Sequence, residues 1–136
     1  MEKPSEERQQ MAGIFEISVK AHFAAAHTLE GYQGNCARLH GHNWHVELFV
    51  RCEGLDDLGI GIDFRILKEN LNEALEDLDH RHLNDLPMFV QENPTSETVA
   101  RYLYRILSER LNDERISVAR IRVSETQDTG VLYWEE

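Results

Sequence analysis

The sequence predicts an α+β fold in which an antiparallel sheet carries two helices on one face. Three observations lead there. Two stretches early in the chain alternate apolar and polar residues, two central stretches repeat apolar residues at helical spacing, and the last part alternates again. The order is therefore β-β-α-α-β-β. Strands joined by short turns pair antiparallel, and two amphipathic helices cover one side of such a sheet.

Each element has its own signature. Phe15, Ile17, Val19, Ala21 and Phe23 fall on one face of a strand, with Glu16, Ser18, Lys20 and His22 on the other. A loop rich in Gly, Gln and Asn covers residues 28–39. Trp44, Val46, Leu48 and Val50 then mark a second strand. "EGLDDLGIG" is a turn region, and its "GIG" lacks the third glycine of a dinucleotide loop. Asp63 reads as a helix N-cap before a stripe of Phe64, Leu67, Leu71, Ala74, Leu75 and Leu78. "DHRHLNDLP" ends that helix. "NPTSE" opens the next, with Thr95 or Ser96 as cap and Val99, Leu103, Ile106, Leu107 and Leu111 on one face. A third strand covers residues 116–125, its phase shifting near Arg120 as at a bulge. Gly130 turns the chain into a last short strand at 131–134.

The chain has 136 residues, 41% of them hydrophobic, which suits one compact domain over residues 13–136 behind a loose polar tail at 1–12. Its net charge of -11 argues against nucleic acid or an anionic membrane as a partner. No apolar run is long enough to span a bilayer, and the N-terminus lacks a signal peptide's apolar core. Two cysteines, Cys36 and Cys52, make no disulfide scaffold, so the expected setting is the reducing cytoplasm. One sheet face lacks a helical cover and needs a partner or a polar surface.

Of the seven histidines, three fall in "CARLHGHNWH". On an extended chain His40 and His42 point to one side, and a hairpin brings His27 back beside them. Three imidazoles with an open fourth position form the ligand set of catalytic zinc. A pair of surface histidines beside an unrelated third is the plainer alternative. Cys36 has three readings: a fourth zinc ligand, a thiol activated near the metal, or an inert loop residue. Asp79 beside His80 can orient and polarise an imidazole, or be a solvated helix end. His22, His45 and His82 read as surface residues. Glu125, ending the third strand, is either a solvated carboxylate or an acceptor for a paired N–H edge such as that of a pterin.

The motifs, in order, are "FAAAH" at 23–27, "CARLHGHNW" at 36–44, "IDF" at 62–64, "LDHRHLND" at 78–85, "NPTSE" at 93–97 and "SET" at 124–126. This succession resembles the 6-pyruvoyl-tetrahydropterin synthase superfamily. The resemblance implies a tunnelling fold (T-fold): a four-stranded antiparallel sheet with two helices on one face. It also implies homohexamers, as dimers of trimers, with sites at subunit interfaces. The spacing C-x3-H-x-H resembles the bacterial 6-carboxy-5,6,7,8-tetrahydropterin branch of queuosine biosynthesis rather than the animal-type C-x5-H-x-H.

On that resemblance, the substrate is a small-molecule pterin triphosphate. His27, His40 and His42 hold zinc, and Cys36 is a catalytic thiolate. Asp79 and His80, from a neighbouring subunit, form the second acid/base group. Glu125 anchors the pterin, helped by Thr95, Ser96 and Glu97. Arg38 is a candidate cation for the triphosphate. The alternatives are pyruvoyl-type synthesis, which keeps all three side-chain carbons, and a non-catalytic zinc-binding module.

Overall fold

A computed structural model describes residues 13–34 and 38–136. The N-terminal tail and Cys36 lie outside the described residues. Strand β1 (Ile14–His27) pairs antiparallel with β2 (His40–Glu53) along its whole length, from Ile14 opposite Glu53 to His27 opposite His40. Helix α1 (Phe64–Glu76) follows. A two-residue strand β3 (Arg81–His82) leads through two short 3-10 turns to α2 (Ser96–Leu111), then β4 (Ile116–Ser124) and β5 (Val131–Tyr133).

The sheet order is β3-β1-β2-β4-β5. It has five strands where the sequence predicts four. The fifth, β3, pairs parallel with β1 only at Ala25 and Ala26. Two residues are too short for any period to show, so no sequence pattern announces it.

The alternation of β1 and β2 sorts their side chains. Phe23, Trp44, Val46, Leu48 and Val50 face the helices and are buried, while Lys20, His22, His45 and Arg51 face outward. Helix α1 contributes Leu67, Leu71, Ala74 and Leu75 to the core, and α2 contributes Val99, Ala100, Leu103, Leu107 and Leu111. Burying one such leucine stabilises the fold by roughly 1.5–3 kcal/mol. Phe64 departs from its predicted stripe: at the first turn of α1 it is 64% exposed.

Both predicted caps form. The Asp63 side chain accepts from the Arg65 N–H, and the Thr95 side chain accepts from the Thr98 N–H. The bulge is present too: the β2–β4 register shifts between Phe49 and Val50, leaving Ala119 without an opposite number. The "GIG" glycines have local reasons. Gly59 has φ +79, and a Cβ on Gly61 would come within 2.8 Å of Ile17 Cδ1 and 3.1 Å of Cys52 Sγ.

Candidate metal centre and active site

The register that pairs His27 with His40 collects three imidazoles at one end of the sheet. Ring centroids lie 4.5 Å apart for His27–His40, 4.7 Å for His40–His42 and 5.4 Å for His27–His42. One ligand atom from each of them and one from Glu125 all lie within 4.8 Å of one another. Trp44 closes the inner side, its ring 4.9 Å from that of His27, with its indole N–H donating to the Ala25 carbonyl.

Backbone carbonyls set the tautomers. His27 Nδ1 donates to the Pro94 carbonyl at 2.7 Å, and His40 Nδ1 donates to the Arg38 carbonyl at 2.7 Å. A ring that gives its proton from Nδ1 presents a bare Nε2 lone pair, the form that binds a metal. The Nε2 atoms of His27 and His42 are buried and have no hydrogen-bond partner among the described residues. Burial pushes the His27 pKa below its ordinary value, outweighing the opposing pull of the Pro94 bond and Glu125. A buried imidazole kept neutral, with its lone pair aimed at two others, fits a divalent metal with nitrogen preference.

Glu125 continues the chain from the end of β4 into this cluster. Its carboxylate lies 3.3 Å from His42 Nε2 and 3.8 Å from His27 Nε2, and Ser96 Oγ donates to it at 3.1 Å. Its membership of the metal-capable group was not legible in the sequence, where the pterin edge was its only suggested ligand.

The other expected site residues divide. Thr95 uses its hydroxyl to cap α2 and reciprocates with Thr98. Glu97 is exposed in the first turn of α2. Asp79 and His80 form a pair, with His80 Nδ1 3.0 Å from Asp79 Oδ2. The Ala24 N–H donates to Asp79 Oδ1 at 2.9 Å, and this bond is the main reason the Asp79 carboxyl titrates below its usual range. His80 has φ +59, in the left-handed region where histidine is among the tolerated residues. That turn leaves its side chain 81% exposed. No hydrogen bond or ion pair joins this pair to the histidine cluster among the described residues.

His82 differs from its surface reading. Its Nδ1 lies 3.4 Å from Asp85 Oδ2, but its Nε2 is shielded and unpartnered among the described residues. Cys52 is fully buried in β2, and burial raises its pKa, so it is a packing thiol.

The profile of the 6-pyruvoyl tetrahydropterin synthase family matches residues 16–136. The chain belongs to that family. A putative 6-carboxy-5,6,7,8-tetrahydropterin synthase of Archaeoglobus fulgidus is 36% identical over 112 residues, covering 82% of this chain and 89% of its own. The 6-carboxy-5,6,7,8-tetrahydropterin synthase of Bacillus subtilis is 31% identical over 126 residues, covering 88% and 84%. A dihydroneopterin monophosphate aldolase of Pyrococcus furiosus is also similar, at 31% identity over 119 residues, covering 87% and 96%. Among solved structures, the 6-pyruvoyl tetrahydropterin synthase of Caenorhabditis elegans superposes with a TM-score of 0.81 at 26% identity, over 91% of this chain and 97% of that one. The family's T-fold is thus the fold of this chain, with β3 as a short addition to its four main strands. It is a tetrahydropterin synthase family enzyme with a cluster able to hold a metal.

Proposed function

We propose that the chain converts 7,8-dihydroneopterin triphosphate and water to 6-carboxy-5,6,7,8-tetrahydropterin, acetaldehyde and triphosphate, as a step toward queuosine in the cytoplasm. The observation that carries this reading is the three-histidine cluster with its Nε2 lone pairs converging beside Glu125. The names of the bacterial and archaeal relatives support the choice of product.

In this reading His27, His40 and His42 hold zinc through Nε2. Bound there, zinc supplies Lewis acidity toward the hydroxyls of the substrate side chain. Cys36, as thiolate, removes a proton from that side chain. His80, held by Asp79, moves the second proton, and the Ala24 N–H keeps the Asp79 carboxylate ionised and fixed. Glu125, oriented by Ser96, accepts the paired N–H edge of the pterin, a charge-assisted contact that sets the ring's direction. Thr95, Ser96 and Glu97 line the ring's end of the pocket.

A homohexamer with sites at subunit interfaces belongs to the same proposal. Its support is the unfinished sheet: β3 covers β1 only at Ala25 and Ala26, and β5 covers β4 only from Ile121 to Val123. Long unpaired edges invite pairing with another copy. The exposure of His80 leaves its ring open to a neighbouring chain.

Mass spectrometry of the products formed by zinc-loaded protein from 7,8-dihydroneopterin triphosphate tests the proposal. Carboxytetrahydropterin with acetaldehyde is the expected result. A product that keeps all three side-chain carbons means pyruvoyl-type synthesis. Aldol cleavage in a parallel assay supplied with 7,8-dihydroneopterin monophosphate, with the triphosphate left unconverted, means an aldolase. No turnover with zinc retained means a zinc-binding module.

A further inference from the structure

One backbone carbonyl, that of Pro94, decides which nitrogen of His27 carries the proton. Whatever holds that carbonyl in place therefore acts on the metal cluster. Proline has no N–H, so Pro94 cannot anchor itself through its own amide. Its neighbours must hold it.

Asn93 is tied down on both sides. Its side chain pairs with the backbone that leaves β1: the Glu30 N–H donates to Asn93 Oδ1 at 2.9 Å, and Asn93 Nδ2 donates to the Glu30 carbonyl at 2.9 Å. Its own carbonyl accepts from the Thr95 N–H at 2.9 Å and from Thr98 Oγ1 at 2.6 Å, at the start of α2. Together with the bond from His27 Nδ1 to the Pro94 carbonyl, the Glu30 pair closes a ring. Residues 27–30 form one side of it and residues 93–94 the other.

Only a carboxamide can make such a pair, because it presents a donor and an acceptor in one plane. Asn84 makes a like pair one residue past His27. The Thr28 N–H donates to its Oδ1 at 2.9 Å, and its Nδ2 donates to the Thr28 carbonyl at 3.0 Å. Asn84, however, sits in the 3-10 turn Leu83–Asp85 and has no link to Pro94. Two amides grip one stretch, and only Asn93 also carries the carbonyl that faces His27.

The ring has a chemical consequence. His27 is buried, and its Nε2 has no hydrogen-bond partner among the described residues. With the proton fixed on Nδ1, that nitrogen keeps its lone pair for a metal. A neutral imidazole released from the carbonyl can carry its proton on either nitrogen, and on Nε2 the proton blocks the lone pair.

We propose that Asn93 is a positioning residue for the metal centre. By pairing with Glu30 it holds the Pro94 carbonyl against His27 and so keeps that ring in the metal-binding tautomer. The functional meaning rests on the reading of the cluster as a zinc site, but the first readout needs no metal. Wild type, Asn93→Ala, Asn93→Asp and Asn84→Ala are compared metal-free at about pH 8, where an imidazole is neutral. Heteronuclear NMR of the ring nitrogens reports the His27 tautomer, with His27→Gln identifying its signal. Competition against a chromogenic chelator then gives the zinc Kd, and circular dichroism confirms the fold. Asn93→Asp keeps the shape of the side chain and loses only the N–H toward the Glu30 carbonyl, so it serves if the Ala variant does not fold.

Wild type should show the proton on Nδ1. Both Asn93 variants should populate the Nε2–H form and bind zinc about 10–100-fold more weakly, the usual cost of losing support behind a ligating histidine. Asn84→Ala should keep the wild-type tautomer and a zinc Kd close to that of wild type. A wild-type tautomer in the folded Asn93 variants overturns the proposal. An equal change in Asn84→Ala also overturns it, since any loosening of the stretch would then suffice. A tautomer shift with unchanged zinc affinity overturns the metal part. A wild type that binds no zinc, with the tautomer shift present in the Asn93 variants, removes the zinc reading and leaves the hold on His27 standing.

Discussion

The His27 imidazole donates from Nδ1 to the Pro94 carbonyl at 2.7 Å, across 67 residues of sequence. This bond joins the end of β1 to the residue before the α2 cap. It decides which nitrogen of a buried ring faces the cluster, and it is the clearest sign that the three histidines form a ligand set.

Removing one ligand should empty the centre. Two imidazoles rarely hold a catalytic metal, so His40→Ala should retain well under one zinc per chain after dialysis, with β1 and β2 still paired. Elemental analysis beside a circular dichroism spectrum checks this. Full zinc occupancy in the folded variant would remove His40 from the ligand set.

Cys36 is expected to act in chemistry. Cys36→Ala should keep its zinc and lose about 10²–10⁴-fold in kcat, the range for a positioned acid/base group. Joint loss of zinc and activity would instead make the thiol a fourth ligand in a closed site.

Glu125 is expected to hold substrate. Glu125→Ala should keep zinc and raise KM by about 10–100-fold, since a hydrogen bond to a charged group contributes about 1.5–3 kcal/mol. Isothermal titration with zinc, alongside steady-state kinetics, separates this from a ligand role, which would weaken metal binding first.

Thr95 is a cap before it is a pocket residue. Thr95→Ala should cost about 1 kcal/mol by urea denaturation, and Thr95→Ser much less. An Ala variant as stable as wild type would show that the α2 cap contributes nothing.

The metal-free protein should weaken in mild acid. Burial holds the folded His27 pKa below the 6.5 of the free side chain. Just below that pH the unfolded chain binds the extra proton and the folded one does not, so unfolding gains as pH falls. The contribution of His27 is fully present above 6.5 and is lost between 6.5 and the lowered folded value. The slope is at most about 1.4 kcal/mol per pH unit for one proton. Urea midpoints measured across that window should show it, and His27→Gln should flatten it. An identical slope in the variant would place the effect elsewhere.

Much of this was legible in the chain. The alternation of Trp44, Val46, Leu48 and Val50 gave the second strand and its buried face. The stripe from Leu67 to Leu78 gave a helix, and Asp63 gave its start. The phase shift near Arg120 marked the bulge. Phe64 was misplaced because helical spacing assigns a residue to a face and does not give how deeply each residue on that face is buried. The two-residue β3 left no period to read.

By itself, the sequence determined which residues share a face, the His40 and His42 pair among them, because backbone geometry repeats every two or 3.6 residues whatever surrounds it. It also carried the ordered motifs of the family. Only the tertiary structure decided that the Pro94 and Arg38 carbonyls fix the imidazole tautomers, that Glu125 reaches the cluster, and that Asn84 and Asn93 grip Thr28 and Glu30. Those contacts join residues far apart in the chain, apart from the local one at Arg38. Each depends on where a single carbonyl or amide points, a quantity set by packing and hydrogen-bond satisfaction in the folded chain and by no periodicity in the sequence.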